Sequence, residues 1–253
     1  MRKIPLKNVD IQTLSDIMSE FGKGGTIFQS EAQFQFELAW KLQEKIQCKA
    51  NLEVLTLVQE KENSSDKDNK KQKIYTDIVL EENGYSIAIE LKYKTAELEA
   101  DNPYAYLLNH GAADLGRYDY LWDVNRLEVL LNSMDKKTKH CDKGFAILLT
   151  NDKHYWEKKW EPEPTINKKI TIDNQFKIGI QDPTNKTGKL FGKVLEWRRN
   201  PDGQYTTAIQ NDKARSRVIE LNHIYQYEWK EYCNLEIPNK NGEFRFVIIE
   251  ATR

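Results

Sequence analysis

Hydrophobic and polar residues alternate most regularly along residues 74–94, which read IYTDIVLEENGYSIAIELKYK. Alternation with a period of two is typical of β-strands that bury one face. The alternation is interrupted by Asn83-Gly84, and Asn-Gly is a preferred pair for the two-residue type I′ turn. The segment therefore predicts a β-hairpin whose strands are joined at these two residues.

The pattern before the hairpin predicts a helix over residues 30–46. Ser30 and Gln33 have the spacing of a capping box at the start of this segment. The helical period then places four apolar residues on one face: Phe34, Leu38, Leu42 and Ile46. Such a face is typical of a helix that packs on a core.

The rest of the chain adds strands and one more helix. We predict strands at 51–59 and 144–151, a helix at 114–132, and a solvated loop over the charged run 60–73. Beyond residue 151 the pattern is weaker: 189–199 and 243–251 predict strands, and 224–233 suits a helix or a strand. We expect a single domain over 1–253, with 152–253 as a β-rich C-terminal elaboration.

A two-residue turn fixes which hairpin residues lie opposite each other. The predicted pairs are Glu82 with Tyr85, Leu80 with Ile87, Ile78 with Ile89, and Asp77 with Glu90. One face then carries Ile78, Leu80, Ile87, Ile89 and Leu91, which is a core face. The other face carries Tyr75, Asp77, Ala88, Glu90 and Lys92.

Asp77 and Glu90 are the candidate functional residues of that second face. Opposed side chains in a hairpin have Cβ atoms about 5 Å apart, so two carboxylates there repel unless a positive charge lies between them. One interpretation is that both are exposed and neutralised by Lys92. The other is that they bind a divalent cation, which prefers hard oxygen ligands.

Glu31 is a further candidate, at the head of the apolar face of the first helix. An acid in the first turn is also favoured by the helix dipole, by up to about 1 kcal/mol. Glu31 is therefore compatible with a capping role, a site role, or both.

Composition narrows the class of protein. The chain has 253 residues, of which 39% are hydrophobic and 30% charged, as in an ordinary soluble globular protein. It contains no apolar run long enough for a membrane span and no signal-like start, so we expect a cytoplasmic protein without membrane contact. Cys48, Cys141 and Cys233 are expected to be reduced thiols, and the four histidines show no zinc spacing. With a net charge of −1, any contact with nucleic acid must come from a local patch.

With Glu31 on a helix, Asp77 on a strand and Glu90-x-Lys92 on the next strand, the sequence resembles the PD-(D/E)xK phosphodiesterase superfamily, the restriction-endonuclease-like nucleases. The resemblance covers residues 30–151. It implies an α/β fold with an αβββαβ core and a central mixed sheet flanked by helices. Thr76 stands where the motif name has proline, a position that is not a ligand.

The resemblance implies a role for each residue. Asp77, Glu90 and the backbone carbonyl of Leu91 would hold Mg²⁺, which Mn²⁺ is expected to replace, and Glu31 would support a second ion or its water shell. Lys92 would orient or activate the attacking water. The implied protein is a metal-dependent DNA endonuclease of the kind used in restriction or phage defence.

The resemblance also implies partners, and alternatives stay open. DNA is the expected substrate, and a homodimer and an associated methyltransferase or ATPase are expected partners. A non-catalytic module that binds nucleic acid or protein on the same fold is the alternative. A nuclease for RNA or repair intermediates is a third, weaker one.

Several other segments carry weaker signals. Residues 21–26, FGKGGT, lack the spacing of a phosphate loop and are interpreted as a flexible lead-in to the first helix. Asp119 and Arg126 share a helix face, where a structural pair or separate surface contacts are favoured over a substrate role. Cationic and aromatic residues interleave at 151–160 and 188–199, which suits target recognition or ordinary surface strands equally.

Overall fold

The computed structural model describes residues 3–59, 71–99, 106–132, 141–156, 187–189, 194–195, 197, 212–237 and 241–253. Three α-helices lie in these ranges: α1 (Ile11–Lys23), α2 (Glu31–Lys45) and α3 (Ala113–Asn132). The six strands of the central sheet are β1 (Lys49–Gln59), β2 (Lys71–Glu82), β3 (Tyr85–Lys94), β4 (Lys143–Thr150), β5 (Lys230–Asn234) and β6 (Glu243–Ala251). Shorter strands occupy Ile4–Pro5, Ile46–Gln47, Leu98–Glu99, Tyr106–Leu107, Thr187–Lys189, Val194–Leu195, Ile219–Glu220 and Gln226–Glu228, and 3-10 turns occupy Leu6–Asn8 and Lys153–Tyr155.

The central sheet is mixed, with the strand order β5-β6-β4-β3-β2-β1. Neighbouring strands are antiparallel except β3 and β4, which are parallel. A parallel pair needs a crossover connection, and α3 lies in the connection between these two strands. The fold is therefore mixed α/β, with a six-stranded sheet and three helices.

The hairpin of β2 and β3 has the predicted register. Asn83 and Gly84 both have positive φ, 49° and 83°, as a type I′ turn requires. The observed pairs include Glu82 with Tyr85, Leu80 with Ile87, and Ile78 with Ile89. The predicted core face is confirmed, because Ile78, Leu80, Ile87, Ile89 and Leu91 are all fully buried.

Helix α2 confirms the first predicted helix within one residue at each end. The Ser30 hydroxyl accepts a hydrogen bond from the Gln33 amide at 3.1 Å, and Phe34, Leu38, Leu42 and Ile46 are fully buried. The reciprocal half of the predicted capping box differs, because the Gln33 side chain accepts from the Gln29 amide at 2.8 Å. The Gln33 side chain therefore binds the backbone of the residue that precedes the N-cap.

Two separate cores cover the two faces of the sheet. The first contains α1 and α2 with the hairpin face described above. The second contains α3, the alternate residues of β3 and β4, and several residues beyond 196 such as Trp197 and Tyr227. The strand face that carries Glu90 is thus covered by α3.

Two sequence predictions need correction. The segment 21–26 is not wholly a flexible lead-in, because Phe21–Lys23 form the last turn of α1, a helix that the hydrophobic pattern did not predict. Gly22 in that turn lies against β5, where a Cβ atom would fall 1.7 Å from the Tyr232 carbonyl oxygen. The loop predicted at 60–73 is shorter, because Lys71–Lys73 belong to β2; residues 60–70 lie outside the described part of the chain.

The C-terminal elaboration contributes to the central sheet itself. Strands β5 and β6 extend the sheet beyond β4, and β6 matches the strand predicted at 243–251. The open choice at 224–233 is settled in favour of strands, since Gln226–Glu228 and most of β5 lie there. Residues 157–160, 190–193, 196 and 198–199 of the cationic and aromatic segments 151–160 and 188–199 lie outside the described residues. Within the described ranges, no helix is long and apolar enough to cross a membrane.

Glu128 of α3 anchors the C-terminal segment, and its removal is expected to destabilise the fold. It is fully buried and accepts hydrogen bonds from the Asn222 amide (2.7 Å), the His223 amide (3.2 Å) and the Tyr225 hydroxyl (2.5 Å). Glu128→Ala leaves these three donors without an acceptor. It should therefore lower the free energy of unfolding, measured by urea titration, by about 3 kcal/mol. Glu220→Ala, at an exposed position, should change it by less than about 0.5 kcal/mol. Equal values for the two variants would contradict the anchoring role.

Candidate active site

Glu90 and Lys92 project from β3 toward α3, as the predicted alternation requires. The Glu90 side chain is 1% exposed and the Lys92 side chain 15% exposed. The intervening Leu91 belongs to the opposite core. Both charged side chains are therefore inside the protein, so the interpretation of a solvent-exposed ion pair is wrong for Glu90.

Asp77 lies beside Glu90 at the point where β2 leaves the regular ladder. The last pair of the β2–β3 ladder is Ile78 with Ile89, and the Asp77 carboxylate (Oδ2) instead accepts a hydrogen bond from the Leu91 amide at 2.6 Å. The side-chain nitrogen of Gln35, on α2, donates a hydrogen bond to the Asp77 carbonyl oxygen at 2.7 Å. The same nitrogen also donates to the side chain of Glu53 on β1. Asp77 is consequently fixed at both its side chain and its backbone.

Glu31 reaches the end of β3 from the other face of the sheet. Its Oε2 atom accepts a hydrogen bond from the Tyr93 amide at 2.8 Å. Burial raises the pKa of Asp77, and the charge of Glu31 raises it further. Burial lowers the pKa of Lys92, whereas the charge of Glu31 raises it. The four predicted side chains, from α2, β2 and β3, thus meet around the last residues of β3.

Two residues of α3, Asp123 and Arg126, complete the cluster. Asp123 Oδ2 lies 2.8 Å from Lys92 Nζ, and Arg126 Nη2 lies 3.0 Å from Glu90 Oε1. Arg126 Nη1 lies 3.2 Å from Asp123 Oδ1, and Arg126 also donates to the Tyr75 carbonyl oxygen. The helix therefore supplies an opposite charge to both Glu90 and Lys92.

Asp119 and Arg126 do not pair with each other, and each forms ion pairs with other residues of the protein. Asp119 forms a bidentate pair with Arg215, with N···O distances of 2.6 and 3.0 Å. Arg126 lies about two turns further along α3 and contacts Glu90 and Asp123. It is part of the candidate site.

Burial sets the electrostatics of the cluster. It raises the pKa of Glu90 well above its ordinary value, and the nearby charge of Asp123 raises it further. Burial also raises the pKa values of Asp77 and Asp123, although Lys92 acts in the opposite direction on both. For Lys92 itself burial lowers the pKa, but Asp123, Glu31 and Asp77 outweigh it and the net shift is upward. Lys92 therefore stays protonated at neutral pH.

The charges of the cluster do not balance. Four carboxylates, those of Glu31, Asp77, Glu90 and Asp123, face two cations, Lys92 and Arg126. When all groups are ionised the excess is two negative charges, which a divalent cation would neutralise.

The cluster contains oxygen atoms of the chemical type that such a cation takes as ligands. Glu90 Oε2 is buried and has no hydrogen-bond partner within the described residues. Carboxylate and carbonyl oxygens are the ligands that Mg²⁺ prefers. Within the same part of the chain, no three Asp, Glu, His or Cys side chains form a metal-binding group. The predicted metal ligands are two side chains, those of Asp77 and Glu90, and the Leu91 carbonyl. That carbonyl accepts from Lys92 Nζ at 3.0 Å.

Comparisons with known proteins do not identify the chain. No protein-family model matches the sequence, and no curated protein matches it. A solved structure, the crystal structure of SSO0001, aligns with 57% of this chain at 19% identity and a TM-score of 0.25. The aligned region spans 66% of that protein, slightly less than two thirds of its length. Function must therefore be inferred from the site itself.

The sequence prediction missed Asp123 and Gln35. Asp123 lies on the buried stripe of α3, between Tyr120 and Val124. A carboxylate in such a stripe, three residues before an arginine, was a usable signal, because buried acids need a partner. Gln35 lies one helical turn after Glu31 and offered no signal beyond that spacing.

Proposed function

We propose that this protein is a Mg²⁺-dependent phosphodiesterase that cleaves DNA. The observation that carries the proposal is the convergence of Asp77, Glu90 and Lys92 with Glu31 in one largely buried cluster, where the carboxyl groups outnumber the cations. Structural ion-pair networks are normally balanced, since an uncompensated buried charge is costly. An excess of this kind is typical of a site that binds a cation.

The order of elements supports a restriction-endonuclease-like core. Helix α2 is followed by β1, β2 and β3, then by α3 and β4. This is the αβββαβ order expected from the sequence, with the candidate residues on α2, β2 and β3. The mixed sheet lies between α1 and α2 on one face and α3 on the other.

Asp77, Glu90 and the Leu91 carbonyl would hold the metal ion, with Glu31 supporting a second ion or its water shell. The bound ion would supply a nucleophilic hydroxide near neutral pH and neutralise charge on the phosphate. The hydrogen bonds from Leu91 and Tyr93 amides fix the directions of Asp77 and Glu31 before any ligand arrives. This pre-orientation reduces the cost of assembling the site.

Lys92 is the proposed group that orients the attacking water and stabilises the added negative charge of the transition state. It stays protonated because the surrounding carboxylates raise its pKa. Asp123 holds its ammonium group in place at 2.8 Å, and Arg126 is the second cation available to a phosphate oxygen. Both cations have fixed positions, as electrostatic stabilisation requires.

Cleavage of DNA by the purified protein is expected in Mg²⁺ and absent in EDTA. Lys92→Ala should lower the cleavage rate by about a hundredfold or more, a usual loss for a positioned proton donor. Lys94→Ala is the matched control, because Lys94 lies on the same face of β3 one step further along. The measurement is the initial rate of cleavage of plasmid and oligonucleotide substrates.

Equal cleavage by the wild type and the Lys92→Ala variant would contradict the proposed role of Lys92. Metal-dependent cleavage that survives both Lys92→Ala and Asp77→Ala would refute the proposed site altogether.

The second candidate function is a binding module on the same fold. It is favoured by one observation: Glu90 and Lys92 are already paired with Arg126 and Asp123. Such a module would bind DNA in EDTA and cleave no substrate in Mg²⁺ or Mn²⁺. A role in restriction or phage defence, a homodimer, and an associated methyltransferase or ATPase belong to the first candidate.

A further inference from the structure

We infer that the pocket beside Asp77 holds an unpaired DNA base next to the bond that is cut, so that the substrate contains a single-stranded segment. This inference rests on the proposed function. The pocket has a volume of about 400 Å³ and lies between β2 and α3, with Asp77 and Arg126 in its wall. Pockets of a few hundred Å³ match small-molecule-sized groups. Any group bound there lies next to the proposed catalytic residues.

The pocket offers aromatic surface to its occupant. Tyr75 of β2 is 52% exposed, and Trp122 of α3 is partly exposed in the same wall. Nucleic-acid bases stack on aromatic side chains without regard to sequence. In a duplex the faces of each base are covered by its neighbours, so only an unstacked base can use such a wall.

The Trp122 ring is held in place before a ligand binds. It stacks on Tyr118 with a centroid distance of 6.2 Å and an interplanar angle of 8°. Tyr118 in turn stacks on Trp197 at 5.5 Å and donates from its hydroxyl to the Arg217 carbonyl oxygen at 3.1 Å. A ring fixed in this way loses little conformational freedom on binding.

The rim of the pocket carries positive charge. Lys73 and Arg217 are both exposed lining residues, and neither forms an ion pair within the part of the chain that the structure describes. The Arg217 guanidinium lies 5.9 Å above the Trp122 ring. These cations can contact the phosphates on either side of a bound base. They supply the local basic patch that a chain of net charge −1 needs to bind DNA.

Fluorescence anisotropy on the full chain in EDTA tests the inference without cleavage. The probes are a fluorescein-labelled DNA single strand and the blunt duplex of the same sequence. The wild type should bind the single strand about tenfold or more tightly than the duplex, and Trp122→Ala should weaken single-strand binding about tenfold or more. Trp122→Phe keeps an aromatic ring and should retain most of the affinity.

Trp40→Ala is the matched control. Trp40 is 66% exposed on α2, which packs against the other face of the sheet, so its removal should leave binding unchanged. Tyr75→Ala provides a second pocket variant should Trp122→Ala fail to fold. Equal affinity for single strand and duplex, or single-strand binding unaffected by these pocket substitutions, would overturn the inference.

Cleavage of the same oligonucleotides in Mg²⁺ separates this inference from the proposed function. Metal-dependent cutting of duplex and single strand at equal rates, unaffected by Trp122→Ala, would refute the inference and leave the function standing. Trp122-dependent binding of the single strand without any cleavage would refute the function and leave the base-binding pocket standing.

Discussion

Asp77→Ala is expected to reduce the rate of DNA cleavage by about a thousandfold or more, because a bound metal ion contributes several kcal/mol of transition-state stabilisation. The substitution also removes the acceptor of the Leu91 amide, which lies 2.6 Å from the Asp77 carboxylate. DNA binding in EDTA should persist or become tighter, since a negative charge near the phosphates is lost. Cleavage rates and anisotropy measured on one preparation check both expectations.

Asp77→Asn and Asp16→Ala sharpen this test. The side-chain amide introduced by Asp77→Asn keeps an oxygen acceptor for the Leu91 amide but loses the charge, so the variant should fold normally and still be inactive. Asp16 is exposed on α1, and its replacement should leave the cleavage rate unchanged. An active Asp77→Asn variant would show that the carboxylate charge is not needed.

Asp123→Ala is expected to lower the free energy of unfolding by about 3 kcal/mol and to reduce cleavage as well. The loss arises because Lys92, with a side chain only 15% exposed, would lose its carboxylate partner at 2.8 Å. Relief of the repulsion between Asp123 and Glu90 offsets part of this loss. Urea titrations followed by circular dichroism measure the change in stability.

Asp119→Ala is the matched control on the same helix. Asp119 lies outside the cluster and pairs with Arg215, with side chains 19% and 33% exposed. A partly exposed pair of this kind is expected to contribute about 1 kcal/mol, less than the buried pair of Asp123. Equal losses of stability in the two variants would contradict the assignment of Asp123 to a buried site.

The hairpin was predictable because its determinants are local. Asn83-Gly84 set the turn, the turn set the register, and the register placed Asp77 near Glu90. Only the end of the ladder differs, where the Asp77 side chain takes the Leu91 amide. Glu31 was predictable from its position in the first turn of α2.

Asp123 and Arg126 could not be assigned in the same way. Their partners lie on β3. The contact exists only because α3, which connects the parallel strands β3 and β4, packs on that face of the sheet. Helical spacing shows which residues share a face of α3, but not which strand that face covers. The identity of the partner is a property of the tertiary structure.

Helix α1 and strand β5 show a different limit. The buried residues of α1 include Leu14, Ile17 and Met18, an apolar stripe too short to predict a helix from sequence alone. Aromatic and charged residues alternate too irregularly in β5 to distinguish a strand from a helix, and its ladder with β6 contains a register shift between Glu231 and Cys233. Both elements are defined by the surfaces on which they pack.

The pairing of β4 with β6 has a consequence for synthesis of the chain. Residues 144–150 of β4 are all buried in the finished protein, and one edge of that strand is covered by β6. A ribosome completes β4 long before β6 emerges, so the nascent chain carries an apolar strand with an open edge. Such edges pair readily with other chains, and contacts distant in sequence form slowly. Closure of the sheet therefore waits until residues 243–251 have been synthesised.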